Sequence, residues 1–203
     1  MQLRDYQKDI VKRGIDIIAD HQLLYLQMEV RTGKTLTALA ICEELGAASV
    51  LFITKKKAIS SIINDYENYG FDFYINVINN ESLHKVEGEY DIVVSDEHHR
   101  NASFPKPNKS AKIIKQRWAH LPMIFLSGTP NAESYSQVYH QYWLSNNSPF
   151  KQWPNFYKWA QNFVNITTRN FGYADVKDYS QADYTKIKPF IDKHIITYTT
   201  KER

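Results

Sequence analysis

The sequence has few of the features that would decide its class at once. Cys42 is the only cysteine among the 203 residues, which excludes an intramolecular disulfide and fits a reducing compartment. The longest apolar runs, such as residues 50–53, are far too short to cross a bilayer. The charged residues at the start of the chain do not match a signal peptide. We therefore expect a cytoplasmic protein without a membrane partner.

A strong charge of one sign is also lacking. The net charge is +3 at pH 7, so it neither indicates nor excludes a nucleic-acid partner. The hydrophobic fraction of 43% is ordinary for a globular protein and supplies a core that needs no disulfide or metal. The length fits one sizeable domain, or one domain with an appended lobe.

Short β-rich runs alternate with amphipathic helical patterns along the first two thirds of the chain. This alternation predicts an α/β fold with a mainly parallel central sheet flanked by helices. The predicted strands are residues 23–30, 50–54, 74–78, 91–95 and 123–127, and the predicted helices are residues 4–19, 34–45, 59–69 and 113–118.

The composition changes beyond Pro130. Three of the four tryptophans and many tyrosines and phenylalanines lie in this tail, which has no strand-like alternation. The spacing of Phe156, Trp159 and Phe163 matches one face of a helix, which favours a packed core over a base-stacking surface. We therefore predict a domain of residues 1–135 and an aromatic-rich helical lobe of residues 136–203.

Gly33-Lys34-Thr35 lies between a predicted strand and a predicted helix, as a phosphate-binding loop does. Phosphate needs backbone N–H groups at a helix start, a lysine for the terminal oxygens and a hydroxyl for Mg²⁺. The match is weak by itself, because Met28 and Arg31 stand where such loops usually have glycine. A chance tripeptide in a turn is the alternative.

A second signal follows the apolar strand of residues 91–95. The strand ends in Asp96 and Glu97, which is a Walker B arrangement. Asp96 can hold Mg²⁺ opposite Thr35, and Glu97 can orient and deprotonate an attacking water. A surface loop or a metal site is the alternative, although no Cys or His cluster with zinc-ligand spacing lies nearby.

A third signal, Ser127-Gly128-Thr129-Pro130, follows the last predicted strand. Alone it is only a polar turn. In this order, after a phosphate-binding loop and a Walker B strand, the segment discriminates strongly between classes of protein.

These three segments resemble motifs I, II and III of superfamily 2 helicases. Residues 3–7 (Leu-Arg-Asp-Tyr-Gln) resemble the glutamine motif of that family, and residues 54–57 (Thr-Lys-Lys-Lys) resemble motif Ia. Residues 79–83 (Asn-Asn-Glu-Ser-Leu) resemble a segment of translocases of the chromatin-remodeller (Swi/Snf) type, many of them carried by phages. The resemblance is close over residues 1–135. It implies a RecA-like P-loop domain that uses ATP and Mg²⁺, located in the host cytoplasm if a phage encodes it.

The resemblance also implies roles for individual residues. Gln7 would recognise adenine, and Glu97 would act as the catalytic base. The residues that would contact the phosphates are Arg31, Thr32, Gly33, Lys34 and Thr35, of which Arg31 has no defined role. Thr35 and Asp96 would hold Mg²⁺, and Lys34 and Asp96 would also take part in catalysis. His98 would couple the nucleotide to Ser127 and Thr129, and the nucleic acid would contact Lys55, Lys56 and Asn80.

The leading hypothesis is ATP-dependent translocation on duplex DNA without sequence specificity. Motifs IV to VI are not found in residues 1–203, so a second RecA-like domain is expected in cis or in trans. The alternatives are an RNA helicase, the motor of a restriction or repair complex, a nucleotide kinase, and a nucleotide-binding regulatory module without turnover. A kinase would need a set of lid arginines and has no use for motif III. Lys55, Lys56 and Lys57 also fit a solvated loop.

Overall fold

Six parallel strands form the central sheet of the computed structural model, which describes residues 2–101, 103–128 and 134–200. The described strands are β1 (Leu23–Met28), β2 (Ser49–Thr54), β3 (Tyr74–Asn79), β4 (Ile92–Ser95), β5 (Met123–Ser127), β6 (Thr167–Asn170), β7 (Asp175–Asp178) and β8 (Ile195–Tyr198). Their order across the central sheet is β3-β2-β4-β5-β1-β8, and β6 and β7 form a separate antiparallel hairpin. All carboxyl ends of the central strands therefore meet at one edge.

Helices cover both faces of this sheet. They are α1 (Asp5–His21), α2 (Lys34–Glu44), α3 (Ile59–Tyr69), α4 (Lys109–Trp118), α5 (Val138–Trp143), α6 (Phe156–Phe163) and α7 (Tyr184–Ile191). None of the helices in the described ranges is long and apolar enough to span a membrane. The predicted α/β class with a parallel sheet flanked by helices is confirmed.

The strands divide the core into two parts because successive side chains point to opposite faces of the sheet. In β1, Leu24 and Leu26 pack with α1, α2 and α3, while Leu23 and Tyr25 pack with α4, α5 and α6. Both sets are fully or almost fully buried. This two-sided burial explains why the central strands appear in the sequence as continuous apolar runs.

The aromatic residues of the tail form most of the second core. Phe156, Trp159 and Phe163 lie buried on one face of α6, as their spacing predicted. They pack with Tyr139 of α5 and with Phe150 through edge-on and tilted ring contacts. These rings stabilise the side of the sheet opposite α1 and are not available for stacking on bases.

The prediction that the tail contains no strands was wrong. Residues 195–198 form β8, which pairs in parallel with β1 at the edge of the central sheet. The run is only four residues long and alternates between buried and partly exposed positions, so its apolar signal is weak. The β6–β7 hairpin is mostly exposed and polar, and gives no core pattern. The division at residue 135 stays a prediction, although β8 belongs to the same sheet as β1.

Ile196 provides a test of this sheet order. Its side chain is fully buried in β8, so we expect Ile196→Ala to lower the free energy of unfolding by about 2–5 kcal/mol. Urea denaturation followed by circular dichroism measures this change. Val176→Ala on the exposed hairpin is the matched control, and we expect a change within about 0.5 kcal/mol. An equally small effect for Ile196→Ala would show that β8 is not part of the core.

Candidate nucleotide site

The turn between β1 and α2 forms a tight loop at the carboxyl edge of the sheet. Arg31 and Gly33 both adopt positive φ, at 67° and 75°, and the Thr32 hydroxyl donates to the Glu29 carbonyl oxygen at 2.6 Å. Arg31 therefore accepts the left-handed conformation that glycine usually takes. At Gly33 a Cβ atom would lie 2.5 Å from Nε2 of Gln7, so a side chain at this position would displace the end of Gln7.

Lys34 and Thr35 begin α2 directly after this loop, and both side chains are half-buried. Gly128 directly follows β5. A Cβ atom built on Gly128 would lie 3.8 Å from Nζ of Lys34, so the lysine side chain reaches this turn. The ammonium group is also close enough to Asp96 to favour the ionised carboxylate. The predicted phosphate-binding loop, the Walker B aspartate and the start of motif III thus meet at one edge.

Asp96 is buried at the end of β4, with 7% of its surface exposed. Its Oδ2 atom accepts a hydrogen bond from Thr54 Oγ1 at 2.8 Å, and its Oδ1 atom has no hydrogen-bond partner within the described part of the chain. Burial raises the pKa of this carboxyl group despite the Thr54 hydrogen bond. A buried carboxylate oxygen with a free lone pair, at the edge of the sheet where α2 begins, is a ligand that fits Mg²⁺.

Glu97 follows in a strained backbone conformation, with φ of 51°. Such strain costs free energy and persists where the surrounding structure requires it, often at functional sites. The turn directs the carboxylate toward two partners. Its Oε1 atom lies 3.5 Å from Lys55 Nζ, and its Oε2 atom lies 3.5 Å from His99 Nε2. Glu97 is therefore half-exposed beside the buried Asp96, where water has access.

His98 makes no direct contact with Ser127, and its predicted coupling role stays a prediction. Both ring nitrogens of His98 are engaged elsewhere, at 2.9 Å from Ser95 Oγ and 2.8 Å from the Gln141 carbonyl oxygen. The ring is fully buried and stacks on Phe125, and burial lowers its pKa to about 3. His99 makes the contact instead, with Nδ1 at 3.0 Å from Ser127 Oγ. Thr129 and Pro130 lie outside the described residues.

Gln7 lies against the loop of residues 31–33, and its predicted role in adenine recognition stays a prediction. Its Nε2 atom lies 3.4 Å from both the Gly33 carbonyl oxygen and Thr37 Oγ1, and its Oε1 atom accepts from the Arg4 backbone N–H at 2.9 Å. A pocket of about 300 Å³ opens beside it. Its lining includes Tyr6, Gln7, Arg31, Thr32, Leu36 and Tyr69. The protein uses both ends of the Gln7 amide, so this residue links α1 to the loop at the pocket wall.

Lys55, Lys56 and Asn80 lie at the carboxyl ends of β2 and β3, on the same edge of the sheet. Lys55 and Lys56 are exposed, and Lys55 also faces Glu97. Asn80 is half-buried and donates to the Thr54 carbonyl oxygen at 3.4 Å, so it supports the loop after β2. The sequence analysis gave no individual role to Thr54, which it placed in motif Ia, or to His99. The one signal for a role in the site was that Thr54 ends β2 and that His99 follows the end of β4.

Comparisons with known proteins agree with this arrangement. Residues 1–81 match the family model described as "Type III restriction enzyme, res subunit". No curated protein matches the chain. The fold is similar to that of the Sulfolobus solfataricus SWI2/SNF2 ATPase core in complex with dsDNA, with a TM-score of 0.73 and 17% identity over 98% of this chain and 45% of that one.

Two further solved structures share the fold. The Pyrococcus furiosus Hef helicase domain has a TM-score of 0.55 and 17% identity over 72% of this chain and 36% of that one. The type ISP restriction-modification enzyme LlaBIII, bound to DNA, has a TM-score of 0.51 and 16% identity over 63% of this chain and 13% of that one. The chain thus spans less than half the length of each of these proteins.

The parallel sheet and its flanking helices have a RecA-like fold, similar to that of the SWI2/SNF2 ATPase core.

Proposed function

We propose that this chain is an ATP-dependent motor domain that binds ATP with Mg²⁺ and couples ATP hydrolysis to movement on DNA. The observation that carries the proposal is the convergence of Lys34, Asp96, Glu97 and Ser127 at one edge of the sheet. These residues come from three segments of the chain that are separate in sequence, and that edge is where ligands bind in parallel α/β folds.

The nucleotide would lie across the start of α2. The loop of Arg31, Thr32 and Gly33 would offer backbone N–H groups, and Lys34 would bind the terminal phosphate oxygens. Gln7 and the adjacent 300 Å³ pocket would receive the adenine. Thr35 and Asp96 would hold Mg²⁺, which supplies charge neutralisation at the phosphates. Glu97 would accept a proton from the attacking water.

DNA is the proposed partner because of the basic edge and the nature of the structural relatives. The Sulfolobus SWI2/SNF2 core and LlaBIII were solved with DNA. Lys55 and Lys56 are exposed on the edge that carries the nucleotide loop, where they would contact the phosphate backbone without reading its sequence. An RNA partner would use the same lysines, so the comparison of duplex DNA with RNA belongs in the test.

A second RecA-like domain, in cis or in trans, is part of this proposal. An arginine supplied from a partner accelerates related P-loop enzymes by about 10³–10⁵-fold. We therefore expect residues 1–203 alone to bind ATP and to hydrolyse it very slowly. Binding without any turnover, even when a second domain is supplied, would favour the regulatory module instead.

Salt-dependent DNA binding tests the partner. We expect Lys56→Ala to weaken binding of a fluorescent duplex and to lower the slope of log K against log salt by about one unit. The reason is that one phosphate contact and its counterion release are lost. Lys193→Ala is the matched control, because Lys193 is an exposed lysine next to the amino end of β8, at the opposite edge.

Equal effects of Lys56→Ala and Lys193→Ala would contradict the proposed DNA surface. Tighter binding of single-stranded or duplex RNA than of duplex DNA would replace DNA by RNA as the partner.

A further inference from the structure

The end of β2 holds Asp96 at two points. The Asp96 backbone N–H donates to the Ile53 carbonyl oxygen at 2.8 Å, and Asp96 Oδ2 lies 2.8 Å from Thr54 Oγ1. An ionised carboxylate only accepts hydrogen bonds, so the Thr54 hydroxyl donates to it. Two consecutive residues of β2 therefore fix both the backbone and the side chain of Asp96, which directly follows the neighbouring strand β4.

The hydrogen bond between the two side chains is shielded from solvent. Thr54 is fully buried, and only 7% of the Asp96 surface is exposed. Water does not readily replace a donor that is removed from such a place, so without the hydroxyl the carboxylate loses this partner outright. The contact can therefore restrict Asp96 more strongly than a hydrogen bond at the protein surface would.

Thr54 is itself held in place. It pairs with Asn79 in the ladder between β2 and β3, and its carbonyl oxygen accepts from Asn80 Nδ2 at 3.4 Å. Its side chain is branched at Cβ, which restricts rotation about χ1. Side chains that are locked in this way can orient a functional group on a neighbouring element. Thr54 therefore has the properties that a positioning residue requires.

The two oxygens of the Asp96 carboxylate differ in their surroundings. Oδ2 accepts from Thr54, whereas Oδ1 is buried and has no hydrogen-bond partner among the residues that the structure describes. Unpartnered buried acceptors are few in native proteins, and an ion-binding or catalytic role is one of the reasons for them. Rotation of an aspartate carboxylate about χ2 is only loosely restricted by its own geometry. The Thr54 hydrogen bond therefore decides which way Oδ1 points.

We propose that Thr54 is a positioning residue for Mg²⁺ binding: its hydroxyl fixes Oδ2 of Asp96, so that Oδ1 is presented to the metal that accompanies ATP. The proposal rests on the proposed function, because the metal belongs to the nucleotide of that reaction. Thr54 touches neither the metal nor the nucleotide and acts through Asp96. Loss of a group that orients a metal ligand typically costs about 10–100-fold in metal affinity or activity.

Titration calorimetry of the full chain with ATP tests the proposal, once in excess Mg²⁺ and once in excess EDTA. Thr54→Val keeps the size and the branching of the side chain and removes only the hydroxyl. We expect this variant to bind ATP about 10-fold more weakly in Mg²⁺, at the lower end of the range for lost orienting groups. In EDTA its ATP affinity should equal that of the unsubstituted chain, because Asp96 then has no metal to hold.

Thr54→Ser is the matched variant. Serine keeps the hydroxyl donor and loses the methyl group, whereas valine keeps the volume and loses the donor. We therefore expect Thr54→Ser to bind ATP in Mg²⁺ as the unsubstituted chain does. If Thr54 only filled space in the core, the order would be reversed, with Thr54→Val harmless and Thr54→Ser defective, and that result would overturn the proposal.

A double-mutant cycle shows whether Thr54 acts through Asp96. Asp96→Asn removes the charge that holds the metal and should itself weaken ATP binding in Mg²⁺. In that background we expect Thr54→Val to add no further loss, since residues that act as one unit are not additive. Fully additive losses would mean that Thr54 affects ATP binding by another route.

Nuclear magnetic resonance supplies a second readout that does not depend on the folding of Thr54→Val. The Thr54 hydroxyl proton is buried and hydrogen-bonded, so it should exchange slowly enough with water to give its own signal. We expect this signal to shift when MgCl₂ is added to the ATP-bound chain, and to stay unchanged in ATP-bound Asp96→Asn. A signal that ignores Mg²⁺ in the unsubstituted chain would contradict the proposal.

Failure of this inference differs from failure of the proposed function. If the unsubstituted chain bound no ATP in either solution, the proposed function would fail, and the role of Thr54 with it. If ATP bound more tightly in Mg²⁺ than in EDTA and Thr54→Val changed neither affinity, only the role of Thr54 would be wrong. An equal loss of affinity in both solutions would likewise overturn that role, because it would show a general distortion of the site.

Discussion

Glu97→Gln is expected to reduce the rate of ATP hydrolysis by about 10²–10⁴-fold while leaving ATP affinity nearly unchanged. The amide keeps the size of the side chain but cannot take a proton from water. The backbone of Glu97 has a strained φ of 51°, and its carboxylate faces Lys55 and His99. The change should therefore affect the chemical step and not the binding of the nucleotide.

The measurement is phosphate release under single-turnover conditions, with a second RecA-like domain supplied where the chain alone is too slow. Glu67→Gln is the matched control, because Glu67 is exposed on α3 and its substitution changes the charge by the same amount. If Glu97→Gln hydrolysed ATP as fast as the unsubstituted chain, Glu97 would not be the base.

Lys34→Ala is expected to weaken ATP binding by about 10–100-fold. The lysine begins α2 with its ammonium group beside Gly128 and Asp96, where the terminal phosphates are proposed to lie. Hydrogen bonds to charged groups contribute about 1.5–3 kcal/mol, and each 1.4 kcal/mol is a factor of ten in affinity. Titration calorimetry with ATP and Mg²⁺ measures the loss.

Adenosine separates a phosphate contact from a general disturbance of the site. It lacks phosphates, so its affinity should be the same in Lys34→Ala and in the unsubstituted chain. Lys57→Ala removes an exposed lysine from the loop after β2 and should leave ATP binding unchanged. A parallel loss of adenosine affinity in Lys34→Ala would mean that the substitution distorts the loop.

The sequence predicted the central elements closely because their signals are local. The runs that became β1, β2, β4 and β5 are apolar and buried on both faces, and helical spacing marks α1 and α3. It did not predict β8, because a four-residue edge strand gains its stability from pairing with β1, which lies far away in the sequence. The strand propensity of four residues contains no information about that pairing.

The candidate site was predicted to a similar extent. The order of motifs brought Lys34, Asp96, Glu97 and Ser127 to one edge, as the parallel sheet requires. Which of two successive histidines turns toward Ser127 depends on the backbone turn after β4, and the sequence contains no signal for the positive φ at Glu97. A buried contact between Tyr25 and Gln141 joins residues that are far apart in the sequence, so the sequence could not predict it either.

The position of β8 beside β1 also sets an order for synthesis and folding. Leu26 of β1 pairs with Ile196 of the edge strand β8, so one side of β1 has its partner only after residue 196 has left the ribosome. Until then the nascent chain carries an unpaired, strongly apolar strand edge, of the kind that associates with other chains. We expect completion of the sheet to be a late, slow step, since pairing of such distant strands slows folding. Release of a nascent chain shorter than residue 195 should therefore yield aggregates, whereas release beyond residue 200 should yield folded protein.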